Sequence, residues 1–390
     1  MVLGAGIYQV PLIRRAKEMG LEVVVASYPG PYPGFAEADL AVYVDTTDAD
    51  GILAAAKSEA IDGIITTGTD VAMRSLGRVC DALGLPGISE QTALNVTDKA
   101  HMKQVLRAGG VHTSPFEVVR TLEEAQDAAV SIGYPVMVKA CDVSGSRGVT
   151  KVAEPEGLAA AFDAALAATH RDYVIVEGFV AGYEIGVDGY VHDGGLALFA
   201  PHDKFVARFG DVTVPSGHAF PLSGDQALRD RVREELERCI AVTGMEHCAV
   251  NGDFMVAPDG SVHVIEIGGR CGATCIPELI SIHTGIDYYE QMIRGALGDV
   301  QDLVPRAQEP CMAKLLFSRS DARVVGIDKE RLDALCVSTG AEVVLDVKQG
   351  DTIHGAHDGT DRWGHVIMAT ASEAVLDETV EQVKQCVTVD

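Results

Sequence analysis

The chain has 390 residues, 47% hydrophobic and 23% charged, with a formal net charge of −26 at neutral pH. That length can bury a sizeable core and hold two or three domains with an ordinary soluble composition, while so large a negative charge disfavours nucleic acid and anionic membranes as partners. No apolar run reaches the length of a membrane span and no basic-then-apolar leader opens the sequence, so a cytoplasmic location is expected.

The first 90 residues alternate strand and helix. Val2-Leu3 leads into Gly4-Ala5-Gly6 and a helix to about Gly20; Leu21–Ser27, Ala41–Val44 and Asp62–Thr67 follow as strands, with helices at Gly51–Ser58 and Val71–Leu83. This alternation predicts a parallel, Rossmann-like sheet with helices on both faces. The G-x-G turn invites a dinucleotide reading, but the third glycine position is Gln9 and the second strand ends Ala26-Ser27-Tyr28 without the acidic residue that would bind a ribose. Thr97-Asp98 caps a helix that carries Lys99, and Thr121 with Glu124 forms a capping box for the next one. Tyr134–Ala140 is a strand, Cys141–Gly148 a loop of small residues, and Val149–Val152 a strand; a helix at Leu158–His170 and a strand at Tyr173–Val176 complete an α+β unit. Strands at Glu184–Val191 and Leu196–Ala200 come next. Asp203–Ser216 is predicted to be a polar, irregular loop, Gln226–Thr243 a long helix and Thr284–Leu297 helical, and the tail alternates strands and helices. The nine cysteines lack C-x-x-C spacing, which predicts reduced thiols rather than a disulfide frame or a zinc site.

Three stretches carry chemistry. Asn251–Thr274 predicts a hairpin turning at Pro258-Asp259-Gly260, with Asp253 and Glu266 able to sit side by side. Neighbouring carboxylates repel unless a cation lies between them, and Mg²⁺ takes one or two carboxylates together with phosphate oxygens. The alternative is an ordinary hairpin whose Asp and Glu are solvated. Lys139 is the charged residue of an otherwise apolar strand, YPVMVKA, where a cation needs a partner or an anion to hold. Ser144-Gly145-Ser146-Arg147-Gly148 follows, and its backbone N–H groups and hydroxyls could close over phosphates. No G-x-x-x-x-G-K-[ST] occurs, so a P-loop is excluded.

The ordered set Lys99, Lys139, SGSRGV, EGFVAGYE, DFMV and VIEIGGR resembles the ATP-grasp superfamily, over roughly residues 1–300. The resemblance implies a mixed α/β and α+β chain: an ATP-grasp fold behind an N-terminal Rossmann-like (pre-ATP-grasp) domain at 1–94. The ATP-grasp domain would span 95–300, with a small lid subdomain at about 112–180, and 301–390 would complete the architecture. Lys99 and Lys139 would contact the α- and β-phosphates of ATP, and Ser144, Gly145, Ser146, Arg147 and Gly148 would cover the β- and γ-phosphates. Glu177, Phe179 and Val180 would hold adenine, Glu184 the ribose, and Asp253 and Glu266 Mg²⁺, with Mn²⁺ a second ion for the same ligands. Arg270 would hold the substrate carboxylate or its acyl phosphate. Gly217–Pro221 resembles a substrate-side stretch of L-amino-acid ligases, in which His218 would meet the amine or the acyl phosphate.

The implied reaction is ATP-dependent ligation of a small-molecule carboxylate and an amine through an acyl phosphate, releasing ADP and phosphate. Departures from the pattern are Asp253 where Glu is usual and Gly268 where many members have a metal-binding Asn. They leave a catalytically silent nucleotide-binding protein as the alternative. Cys271-Gly272-Ala273-Thr274 lacks the Gln-Val-Glu-His run of biotin carboxylases, which places a biotin-carboxylase or carbamoyl-phosphate-synthase type of carboxylation lower. A homodimer is the default expectation.

Overall fold

The computed structural model describes residues 1–143, 147–209 and 212–390. It forms two compact units: Met1–Pro201 with Gly224–Ala273 and Asp287–Val304, and His202–Ser223 with Thr274–Ile286 and Pro305–Asp390.

The first unit begins with parallel strands Val2–Leu3, Val24–Ser27 and Leu40–Tyr43, in that order. Of the expected fourth strand only Ile65 and Thr67 make bridges, to Val2 and to Cys271. The helix Val10–Glu18 turns Leu12, Ile13 and Ala16 onto this sheet, the 3.6-residue spacing expected of a buried face. Gly4 takes φ +93°, and the Gln9 side chain fills the turn it makes, accepting a hydrogen bond from Gly6 N at 2.9 Å and donating to the Thr67 carbonyl. The loop where a dinucleotide would rest its phosphates is thus closed by its own glutamine.

A second sheet of the same unit is antiparallel, in the order Phe116–Val119, Val174–Gly178, Val136–Ala140, Val149–Val152. Helices Leu122–Ile132 and Leu158–Ala168 cover one face, and the Thr121–Glu124 capping box starts the first of them. Strand alternation does the sorting. Val136 and Val138 enter the core under the helices, which turns Met137 and Lys139 to the opposite face.

The third sheet of the unit runs Val262–Gly268, Cys248–Val256, Tyr183–His192 and then residues 195–201 of the strand Gly195–Phe209. The hairpin is as expected, with Asp253 opposite Glu266. A bulge follows, because Phe254 pairs with Val264 and leaves Ile265 over. A bulge re-aims side chains, and here it lets Ile265 and Glu266, successive in sequence, both line one cleft.

Within the second unit the antiparallel strand order is residues 202–209, then Val212–Phe220, Cys311–Leu316, Gly364–Met368 and Glu342–Leu345. Helix Glu373–Gln385 contributes Leu376, Val380 and Val383 to a core shared with Trp363, Val366 and Leu316. The sheet corrects the expected loop at Asp203–Ser216, since Asp203 pairs with Ala219 and the ladder runs on to Phe209 opposite Val212. The ladder has an irregularity between Pro215 and Gly217. Thr284 ends a preceding helix, Ile276–Thr284, and the expected helix Thr284–Leu297 instead starts later, at Tyr288–Leu297. Gly285 in the left-handed conformation ends the first and Asp287 caps the second.

Two histidines of the second unit are held neutral. Burial, then His202 and Lys204, hold His218 well below its ordinary value near 6.5, and burial followed by Arg362 pushes His365 down to about 4. The unfolded chain protonates both below about pH 6.5 while the folded chain does not, so folding stability is lost as pH falls from about 6.5 towards 4. Urea unfolding of the wild type is expected to lose up to about 1.4 kcal/mol per pH unit per histidine in that window. His365→Gln is expected to flatten the slope, and an unchanged slope would refute the assignment.

Candidate functional site

The strands, helices and loops of the first unit enclose a cleft of about 310 Å³. Its apolar lining comes from Met137, Val149, Phe179, Val180, Met255 and Ile265, and the Lys151 ammonium lies 3.5 Å from the centre of the Phe179 ring. Its charged lining is Asp70, Lys99, Lys139, Glu177, Glu184, Asp253, Glu266 and Arg270.

Each cation of the lining is paired. Lys99, at the start of its helix, places its ammonium 3.0 Å from Glu266 and 3.0 Å from the Val143 carbonyl. Burial opposes that charge, but Glu266 and behind it Asp70 outweigh burial and raise the Lys99 pKa. Lys139 is ion-paired with Glu177, whose other oxygen lies 2.9 Å from the ammonium of Lys103. Burial alone would raise the Glu177 pKa; the two lysines reverse this and hold it at about 2. Arg270 forks onto Asp70, with Nε to Oδ1 at 2.8 Å and Nη2 to Oδ2 at 2.6 Å, while Nη1 donates to Asn251 Oδ1 at 2.7 Å. Burial is again offset, chiefly by Asp70, and the guanidinium pKa is raised. Asn251 is steadied from behind by Asp188, which also accepts from Gly272 N.

The cleft therefore gathers Lys99, Lys139, Glu177, Phe179, Val180, Glu184, Asp253, Glu266 and Arg270. It does not include every residue expected of the site. Ser144, Gly145 and Ser146 lie outside the described residues. Arg147 and Gly148 are not among the lining residues, although Gly148 is fixed by a φ of +62° and by an added Cβ meeting Ala168 at 2.7 Å. His218 belongs to the second unit, where its Nε2 shares a 2.7 Å hydrogen bond with Thr274 Oγ1 and its buried Nδ1 has no hydrogen-bond partner. Sequence reasoning missed Asp70, Asn251 and Lys103. Nothing in the TTGTD loop, residues 66–70, signals a partner 200 positions away.

Five carboxylates and three cations line the cleft. Among the described residues no group of three or more His, Cys, Asp or Glu side chains is arranged to hold a metal ion by itself. Asp253 and Glu266 alone suit Mg²⁺, which fills its remaining positions with water and phosphate oxygens. Among the described residues no helix is long and apolar enough to cross a membrane.

Residues 98–303 match the family described as the carbamoyl-phosphate synthase L chain, ATP binding domain. The chain belongs to this ATP-grasp family. It is an ATP-grasp enzyme of the carboxylate–amine ligase type. An uncharacterised protein of Sinorhizobium fredii is 28% identical over 92% of this chain and 76% of its own length. Alanine–anticapsin ligase of Bacillus subtilis is 26% identical over 65% of this chain, which spans 58% of that ligase. A solved phosphoribosylglycinamide synthetase from Anaerococcus prevotii superposes with a TM-score of 0.82 at 27% identity, covering all of this chain and 98% of the other.

The cleft makes its own test of Gly268. A Cβ there would stand 3.2 Å from Asp70 Oδ1 and 3.8 Å from the Arg270 guanidinium, whereas one at Gly269 has Ile88 and Val96 as its nearest neighbours, at 3.5 Å or more. Overpacking of this kind costs about 1–3 kcal/mol. Gly268→Ala should lower the urea midpoint clearly more than Gly269→Ala. Equal midpoints would show that Asp70 yields freely.

Proposed function

We propose that this ATP-grasp ligase joins a small-molecule carboxylate to an amine, using ATP and releasing ADP and phosphate. The observation that carries the reading is the set of cation–carboxylate pairs lining one cleft: Lys99 with Glu266, Lys139 with Glu177, and Arg270 with Asp70. Buried charges held in exchangeable pairs are what a polyanion and a divalent cation need, because each half of a pair can turn to a ligand of opposite sign.

In this reading Lys99 and Lys139 meet the α- and β-phosphates, and the loop from Ser144 to Gly148 covers the β- and γ-phosphates. The backbone of the segment at Glu177, Phe179 and Val180 holds adenine, with Met137, Val149, Met255 and Ile265 as apolar walls. Glu184 takes the ribose hydroxyls. Asp253 and Glu266 hold Mg²⁺, which supplies neutralisation of phosphate charge. Arg270 orients the acid. The substrate carboxylate oxygen bonds to the γ-phosphorus as the bond to ADP breaks. The amine lone pair then bonds to the carbonyl carbon as phosphate leaves, and the surplus N–H proton passes to a base or to water. Positioning and charge neutralisation supply the rate. Glu266 would have a double part, as a ligand for Mg²⁺ and as the partner of Lys99.

The decisive experiment is a phosphate-release screen of carboxylic acids against amines with ATP and Mg²⁺, amino acids first. Release is expected to need both an acid and an amine. Nucleotide binding with no turnover across the screen would instead favour a silent nucleotide-binding protein. Once a pair is found, Lys139→Ala and Glu266→Ala are each expected to lower kcat about 10²–10³-fold, the scale of losing one preorganised charge. Full turnover in either variant would sink the assignment.

A further inference from the structure

The reaction proposed above leaves Lys103 without a task, although it is among the largest fully buried side chains of the protein. It lies one turn after Lys99 on the helix Lys99–Ala108, outside the lining of the cleft, with its side chain 2% exposed. Its ammonium meets Glu177 Oε2 at 2.9 Å and donates to Thr113 Oγ1 and to Ser114 Oγ, the latter at 3.2 Å. Glu177, equally buried, gives its other oxygen to Lys139, which does line the cleft. One carboxylate thus stands between two ammonium groups, one sealed in the protein and one facing the ligand space.

An apolar side chain would fill the Lys103 position without any desolvation penalty, so its charge calls for an explanation. The explanation lies in what happens to Glu177 when an anion enters. If Lys139 turns to a phosphate, Glu177 loses its nearer cation, and a buried carboxylate left alone costs several kcal/mol. With Lys103 fixed on its far side the carboxylate remains paired and Lys139 can be shared. We infer that Lys103 is a positioning residue for nucleotide binding: it holds Glu177 as a satisfied counter-charge, so that Lys139 is free to engage phosphate. The inference rests on the reading that Lys139 meets the phosphates of ATP.

The trio makes an unusual demand, that a second charge deletion should repair the first. Lys103→Met leaves Glu177 with Lys139 as its one ammonium partner of the trio, which ties Lys139 down. Adding Glu177→Gln removes the restraint together with the unpaired charge. Calorimetric titration of the full-length variants with Mg·ATP tests this, with thermal melting to report folding. Lys139→Met and Lys103→Met are each expected to weaken Mg·ATP about tenfold or more. Lys103→Met/Glu177→Gln is expected to return to within about threefold of the wild type, as is Lys103→Arg, which keeps the charge. A merely structural Lys103 predicts no recovery in the double variant, and that result overturns the inference. So does unchanged affinity in Lys103→Met where Lys139→Met is weakened. Should Lys103→Met fail to fold, Lys103→Gln with and without Glu177→Gln carries the same comparison. If the wild type binds no Mg·ATP, or if Lys139→Met binds as the wild type does, the nucleotide reading itself fails, a result distinct from loss of the rescue alone.

Discussion

Buried charge is the constraint on which the cleft depends. A lysine at 2% exposure and a largely buried arginine persist only beside a carboxylate, and the first unit supplies one to each. The partners come from distant parts of the chain. Glu177 sits on the sheet of the Lys139 strand, Glu266 on the hairpin, and Asp70 in a loop of the parallel-sheet segment. The Lys139–Glu177 pair links neighbouring strands of one sheet, whereas the other pairs join separate elements as well as two charges. The Lys99–Glu266 contact ties a helix start to a hairpin, and Arg270–Asp70 ties the residues after that hairpin to the loop that follows Ile65.

Strand periodicity explains how much of this could be seen in the sequence. Lys139 stood out because one charge interrupts an apolar run, and period-two geometry then placed it opposite the valines of its own strand. Asp253 and Glu266 were legible for the same reason, as they flank a recognisable Pro-Asp-Gly turn and meet in register. The bulge at Ile265 was not legible, because it adds one residue to an ordinary alternation of apolar and polar side chains. Residues 203–216 failed in the opposite sense, since a polar, half-exposed strand carries the composition of a loop.

Lys103 and Asp70 were hidden for a stronger reason. In KAHMKQVLRA a lysine four residues after another looks like part of a solvated helix face, and the helix instead turns Lys103 into the protein together with Ala100, Met102 and Leu106. Its character depends on Glu177, 74 positions further along, and no local pattern can express that. Gln9 shows the converse. It was noted as the residue that breaks a dinucleotide motif, and the structure gives it a positive role, since its amide closes the turn at Gly4–Gly6 and holds the Thr67 carbonyl.

Gly268 and Asp70 are best understood as one choice rather than two. A glycine on the last position of the strand Val262–Gly268 removes a side chain from the cleft, and the space is taken by a carboxylate from elsewhere in the unit, within 3.2 Å of where the missing Cβ would stand. Both oxygens of that carboxylate are given to Arg270. The exchange therefore sets a carboxylate against an arginine where the strand ends. On the proposed assignment of Arg270 to the acid, the incoming carboxylate shares the guanidinium with Asp70 and Asn251, and Gly268 then bears on how that arginine is held.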